Sequence, residues 1–151
     1  RAAEGDNALS GIVTGDSNQR FNLFVNGSHN WGPGNAATDT NLFRSAANVL
    51  KTDDSFIIGA SGTAILTHLS ATATLDFANQ AAIGCNDLTI TVTGAALGDT
   101  VSVGVPNGSV PSVTSTFTGW VSAADTVTVR FCALVSGDPA SGTFRADVWR
   151  H

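Results

Sequence analysis

From Ala64 onward the chain alternates between apolar and polar residues with few interruptions. Ala73, Leu75 and Phe77 share one phase, and Thr72, Thr74 and Asp76 take the other. Leu88, Ile90 and Val92 oppose Thr89, Thr91 and Thr93, and Val101, Val103 and Val105 repeat the pattern. Phe117, Gly119 and Val121 follow. Then come Val127, Val129, Phe131 and Ala133 against Thr126, Thr128 and Arg130, and finally Phe144, Ala146 and Val148 against Arg145 and Asp147. A period of two buries one side of a strand and leaves the other in water. The interruptions are rich in turn formers: "GAALGD", "VPNGSVP", "SAAD" and "SGDPASG". Six such strands with short connections predict an antiparallel β-sandwich of jelly-roll type. Ile65–Leu69 or the first half would supply one or two more.

Composition points the same way. There are eighteen threonines but one lysine (Lys51) and one glutamate (Glu4), which suits strands over exposed helices. The formal net charge of −5 is spread evenly, with no basic patch, so neither nucleic acid nor an anionic membrane is an expected partner. No apolar run approaches the length of a membrane span. The chain lacks methionine, the expectation for part of a longer or processed protein.

Strand parity also predicts what decorates the outer faces. Trp120 shares the phase of Thr116 and Thr118, and Trp149 that of Arg145 and Asp147. A tryptophan on a polar face is either covered by a neighbouring molecule or used in binding. Trp31, Trp120, Trp149, Arg130 and Arg145 are therefore the candidate ligand or subunit-interface residues. Cys85 and Cys132 also fall in the polar phase. This permits a disulfide bridge, and two reduced, partly buried thiols remain the alternative.

Residues 1–62 read differently from 63–151. Phe21, Leu23 and Val25 alternate, Asn26-Gly27 signals a hairpin turn, and a weak strand ends near Trp31. Leu42, Ala46, Val49 and Leu50 fit a helix face, but that stripe is short for an isolated helix. The stretch predicts a strand at Leu42–Arg44, a turn at Ser45–Asn48, and hairpin arms at Val49–Lys51 and Ser55–Ile58 around Thr52–Asp54. These pieces are too short and too poor in apolar residues to close a core alone. They call for neighbours, most simply copies of themselves.

Catalytic signals are weak. Gly15-Asp16-Ser17 resembles a serine-esterase opening but reads as a turn, lacking a strand–serine–helix context. His29, His68 and His151 have no ligand spacing, and Asp53-Asp54 lacks the rest of a calcium loop. Asp53-Asp54 reads instead as a turn that caps backbone amides. The "NGS" sequences at Asn26 and Asn107 match glycosylation acceptors, as short Asn-Gly turns also do. No enzymatic activity, metal or cofactor is expected.

The segment "RFNLFVNGSHNWGPGNAATDTNLFRSAANVLKTDDSFIIG" resembles a repeat of bacteriophage tail-fibre and related virion proteins. The matching positions include Arg20, Phe21, Trp31, Gly32, Gly34, Leu42, Phe43, Arg44, Leu50 and Asp53. Residues 75–151 look like the C-terminal head domain of similar fibres. The resemblance implies a homotrimer, with residues 1–62 as a short stalk of β-hairpins and 63–151 as the head. It implies an extracellular virion location, other tail or capsid proteins as partners, and a structural or host-surface-binding role. Two alternatives stand beside it: a capsid decoration or cement protein, and an extracellular glycan-binding module.

Overall fold

The computed structural model describes residue 3 and residues 5–110 and 114–151. The protein is all-β, and its strands pair antiparallel throughout. The chain forms two compact units, Arg1–Phe56 and Ile57–His151.

The first unit is a single five-stranded meander: β1 (Asn7–Gly11), β2 (Phe21–Phe24), β3 (His29–Trp31), β4 (Thr40–Ala46) and β5 (Val49–Lys51). The Asn26-Gly27 turn joins β2 to β3 as predicted. Gly27 adopts a φ of 85°, and Asn26 Oδ1 accepts a hydrogen bond from the Ser28 amide at 2.9 Å. The predicted strand at Leu42–Arg44 lies inside the longer β4.

Two expectations here are corrected. The predicted turn at Ser45–Asn48 forms at Ala47-Asn48 and the predicted arm Val49–Lys51 is β5, but it pairs back on β4 rather than with a second arm around Thr52–Asp54, because Asn48 accepts a left-handed φ of 60°. Ser55–Ile58 consequently forms no strand. Thr52–Asp54 instead folds back along β4: Asp54 accepts from the Asn41 amide at 2.7 Å, and the Asp53 amide donates to Asn41 Oδ1 at 3.3 Å. Capping of backbone by Asp54 was the expected role for that pair. β1 was not anticipated, since "NALSG" carries one large apolar residue.

The second unit contains β6 (Thr67–Leu75), β7 (Gly84–Thr91), β8 (Thr100–Gly104), a 3₁₀ turn at Asn107–Ser109, β9 (Ser115–Ala123), β10 (Thr126–Ala133) and β11 (Gly142–Arg150). All six alternating segments are strands. Ile65–Leu69 supplies no extra one, because Thr67–Leu69 opens β6 itself. Of the predicted turn at 105–111, Pro111 lies outside the described residues. The strands form two sheets, β7-β10-β9 and β6-β11-β8. Each connection except the β9–β10 hairpin carries the chain from one sheet to the other, which is a sandwich wound in jelly-roll fashion.

The predicted inward residues meet between the sheets. Val127, Val129, Phe131 and Ala133 of β10 and Phe144, Ala146 and Val148 of β11 form the centre, with Leu75, Ile90 and Val121 around them. Phe77 lies past the end of β6 yet is buried, its ring 5.5 Å from that of Phe144 and 6.0 Å from that of Phe131. Gly119 is a required inward glycine. A Cβ there would stand 2.5 Å from Val103 Cγ2, so the bare backbone lets β8 approach β9.

Candidate interaction surfaces

Strand register assigns the paired strand residues of the first unit to one face or the other. Ser10, Asn22, Asn30 and Asn41 stand opposite one another in successive strands, forming a polar row. Phe43 and Lys51, paired in the β4–β5 ladder, continue this side, and the Lys51 ammonium lies 5.4 Å from the Phe43 ring centroid. The reverse side carries the rows Leu9–Leu23–His29–Leu42 and Gly11–Phe21–Trp31–Thr40, with Arg44 opposite Leu50. Phe21, His29 and Trp31 cluster there with ring centroids 6.1–6.2 Å apart.

Burial does not follow polarity strictly. Asn22, on the polar side, is 6% exposed, and its Oδ1 has no hydrogen-bond partner among the described residues. On the apolar side Leu9 is 59% and Leu50 72% exposed, and Trp31 and Leu42 are also exposed. Among the described residues no hydrophobic side chain before Leu75 is buried. A sheet normally hides its apolar side; here Phe21 and Leu23 at its middle are half-buried, while Leu9, Trp31, Leu42 and Leu50 around them remain exposed.

The loops that hold this sheet are firmly tied. Arg20 donates from Nε and one Nη to the Asp16 carboxylate at 2.6 and 2.9 Å, which holds the Asp16 carboxyl below the ordinary aspartate range. Gly34, at a φ of 88°, packs so closely on that carboxylate that a Cβ would lie 2.5 Å from it. Gly15-Asp16-Ser17 is thus a turn, as expected, and its aspartate is a structural anchor.

In the second unit the outer face of β7-β10-β9 carries three cross-strand groups in adjacent rows. Cys85 and Cys132 sit directly opposite each other and form a disulfide, with Cα atoms 4.2 Å apart. In the next row of that face Arg130 donates to both carboxylate oxygens of Asp87 at 2.7 and 2.6 Å, a fork-on-fork pair. That pairing lowers the Asp87 pKa. The guanidinium carbon also lies 5.0 Å from the centroid of Trp120. Thr128, directly opposite Trp120, is buried although it faces outward, and its hydroxyl is 2.7 Å from Ser122 Oγ.

The outer face of β6-β11-β8 holds the remaining candidates. The Trp149 ring is stacked by His68 at 4.0 Å, and His68 Nε2 lies 3.1 Å from Asp147 Oδ1. Arg145 stands exposed between Thr72 and Gly104 with no ion-pair partner among the described residues. At one end of this sheet Arg150 pairs with Asp99, which, with the Ala96 amide, holds that carboxyl low.

The structure therefore unites Trp120 with Arg130, and places Trp149 and Arg145 on the opposite sheet. Asp87 joins the Trp120–Arg130 group and His68 stacks on Trp149; sequence reasoning does not single out Asp87 and weighs His68 only as a metal ligand. Parity gives a residue's face, and only the pairing of strands gives its neighbour. Among the described residues no pocket opens, and no three His, Cys, Asp or Glu side chains converge as metal ligands. No family model matches the chain, nor does any curated protein or solved structure.

Proposed function

We propose that this chain is a non-enzymatic structural protein of a bacteriophage virion, a homotrimeric fibre with residues 1–62 as its stalk and 63–151 as its head. The observation that carries the proposal is that, among the described residues, the first unit buries no hydrophobic side chain and leaves Leu9, Trp31, Leu42 and Leu50 exposed. A sheet that leaves large apolar side chains such as Leu9, Trp31, Leu42 and Leu50 in water is suited to being covered by other chains. The resemblance of residues 20–59 to fibre repeats supplies the kind of assembly. The head fits an extracellular setting, since its strand ends are stapled by a disulfide. Gold-labelled antibody against the chain, applied to intact particles, tests the location. Label on tail appendages is the expected result. Label over the capsid lattice would replace the fibre with a capsid cement protein, and no label on particles would remove the virion reading.

A second reading concerns the head alone. Trp120 is 38% exposed on a threonine-rich outer face beside a donor–acceptor pair, Arg130 and Asp87, a combination suited to the apolar face and hydroxyls of a sugar. On this reading the head binds a host-surface glycan. Tryptophan emission titrated with surface polysaccharide would change in the native protein and stay unchanged in Trp120→Ala. Absence of any change in the native protein removes the glycan role and leaves the structural one.

A further inference from the structure

We infer that Asn107 is a site of spontaneous covalent modification in the head, where Asn107-Gly108 converts to aspartyl and isoaspartyl forms, and that the fold shields Asn26-Gly27 from the same reaction. The chain carries Asn-Gly-Ser twice, at Asn26–Ser28 and Asn107–Ser109. Identical tripeptides have similar reactivity in an unfolded chain, so a difference between them is a property of the fold. Asparagine before glycine is the reactive pair, because glycine has no side chain to obstruct attack by its own backbone nitrogen.

The reaction needs only water. The Gly108 N–H gives its proton to solvent base, and the nitrogen bonds to Asn107 Cγ. The Cγ–Nδ2 bond breaks, and Nδ2 takes up a proton and leaves as ammonia. Water then opens the five-membered imide at either carbonyl. One opening leaves aspartate in the normal chain, and the other leaves isoaspartate, with the backbone routed through Cβ. Either product adds one negative charge to the head.

The reacting groups are held at Asn26 and free at Asn107. The Gly27 N–H donates to the Phe24 carbonyl at 2.9 Å, and Asn26 Oδ1 accepts from the Ser28 amide at 2.9 Å and from Ser28 Oγ at 2.8 Å. The Phe24 amide closes the same turn on the Ser28 carbonyl at 2.9 Å. The Ser28 donors polarise the Asn26 carboxamide, but attack requires Gly27 to surrender the proton it donates to Phe24 and the carboxamide to swing away from Ser28. In the turn after β8 the bonds belong to the neighbours instead. The Ser109 amide donates to the Pro106 carbonyl at 2.9 Å, and the Val110 amide to the Asn107 carbonyl at 3.3 Å. Among the described residues neither the Gly108 N–H nor the Asn107 carboxamide has a hydrogen-bond partner. Both residues are exposed, and a Cβ at Gly108 would meet nothing within 4 Å. One hydrogen bond on a reacting group slows it roughly twofold to tenfold, and Asn26-Gly27 has three such bonds.

The test ages the native full-length protein at mildly alkaline pH, beside the same chain held unfolded in guanidinium chloride. Peptide mapping by mass, with an isoaspartate assay, follows each Asn-Gly pair. Position 107 should convert about fivefold faster than position 26, or more, in the folded protein. The two should convert at similar rates in the unfolded chain. Equal rates in the folded protein, position 26 ahead, or no conversion at either position overturns the inference. The same ratio in both states also overturns it, because the flanking residues would then set the difference. Asn107→Gln gives a second check. Glutamine would have to close a six-membered ring, which is slower, so this variant should lose most of the acidic species that build up in the native protein on ion exchange. An undiminished build-up would overturn the assignment to Asn107.

Discussion

Removing the Cys85–Cys132 bridge should weaken the head by an amount that the structure sets. The two cysteines are 47 residues apart in sequence. Closing a loop of that length removes entropy from the unfolded chain worth about 4 kcal/mol at 25 °C. The bridged strand β7 is an edge strand that pairs within its sheet only with β10, so no second neighbour compensates. The eight-residue β7–β10 register itself survives, because the Asp87–Arg130 pair and the Leu88, Ile90, Val127 and Val129 packing do not depend on sulfur. The Cys85→Ser/Cys132→Ser double variant should therefore fold but melt earlier. With a urea slope of about 1–2 kcal/mol per molar for a unit of this size, the midpoint should fall by roughly 2–4 M. Far-UV circular dichroism against urea, with tryptophan emission in a Trp31→Phe background, follows the head through Trp120 and Trp149. A midpoint within 0.5 M of the parent would refute the reasoning, either because the bridge is absent in solution or because the unfolded chain is already constrained without it.

Three further outcomes follow from the core and the charge pairs. Phe144→Ala removes a fully buried ring that meets Phe77 and Phe117 across the sandwich, and should cost about 3–5 kcal/mol, read as a lower urea midpoint. Gly119→Ala puts a methyl group against Val103 and should cost about 1–3 kcal/mol by overpacking, against little or no loss for Gly108→Ala, where the added carbon meets nothing. The Asp87 carboxyl should titrate below the 3.8 of an unperturbed aspartate, because its hydrogen bonds to Arg130 favour the ionised form. Its contribution to stability is then fully present above about pH 3.8 and lost as the pH falls through the lowered value. Carboxyl-resolved NMR titration of the native protein and of Arg130→Leu checks this: the midpoint should move up towards 3.8 in the variant, and an unmoved midpoint would remove Arg130 as the cause.

The head was legible because its sequence obeys one rule for almost ninety residues. Every inward residue from Val127 to Ala133 and from Phe144 to Val148 was placed by parity alone, and the outward positions of Trp120, Trp149 and the two cysteines came with it. Pairing partners were not legible, since nothing local says that Asp87 faces Arg130 or that His68 faces Trp149. The disulfide stayed open for the same reason: parity put both sulfurs on one face, and only register put them side by side. The first unit was harder. Asn48 held the turn because asparagine tolerates a left-handed backbone, and the hydrophobic "FII" that suggested a second arm is exposed outside any strand. The polar strand β1 left no periodic signal at all. Its place is set by pairing with β2, where Gly11 lies against Phe21.

Sedimentation equilibrium of the full chain at micromolar concentration tests the central claim, that other copies complete the first unit. Each chain has a mass of 15.4 kDa. The account predicts a single species of three times that mass, stable to tenfold dilution. A folded monomer of 15.4 kDa with Leu9, Trp31 and Leu50 still in water would contradict it.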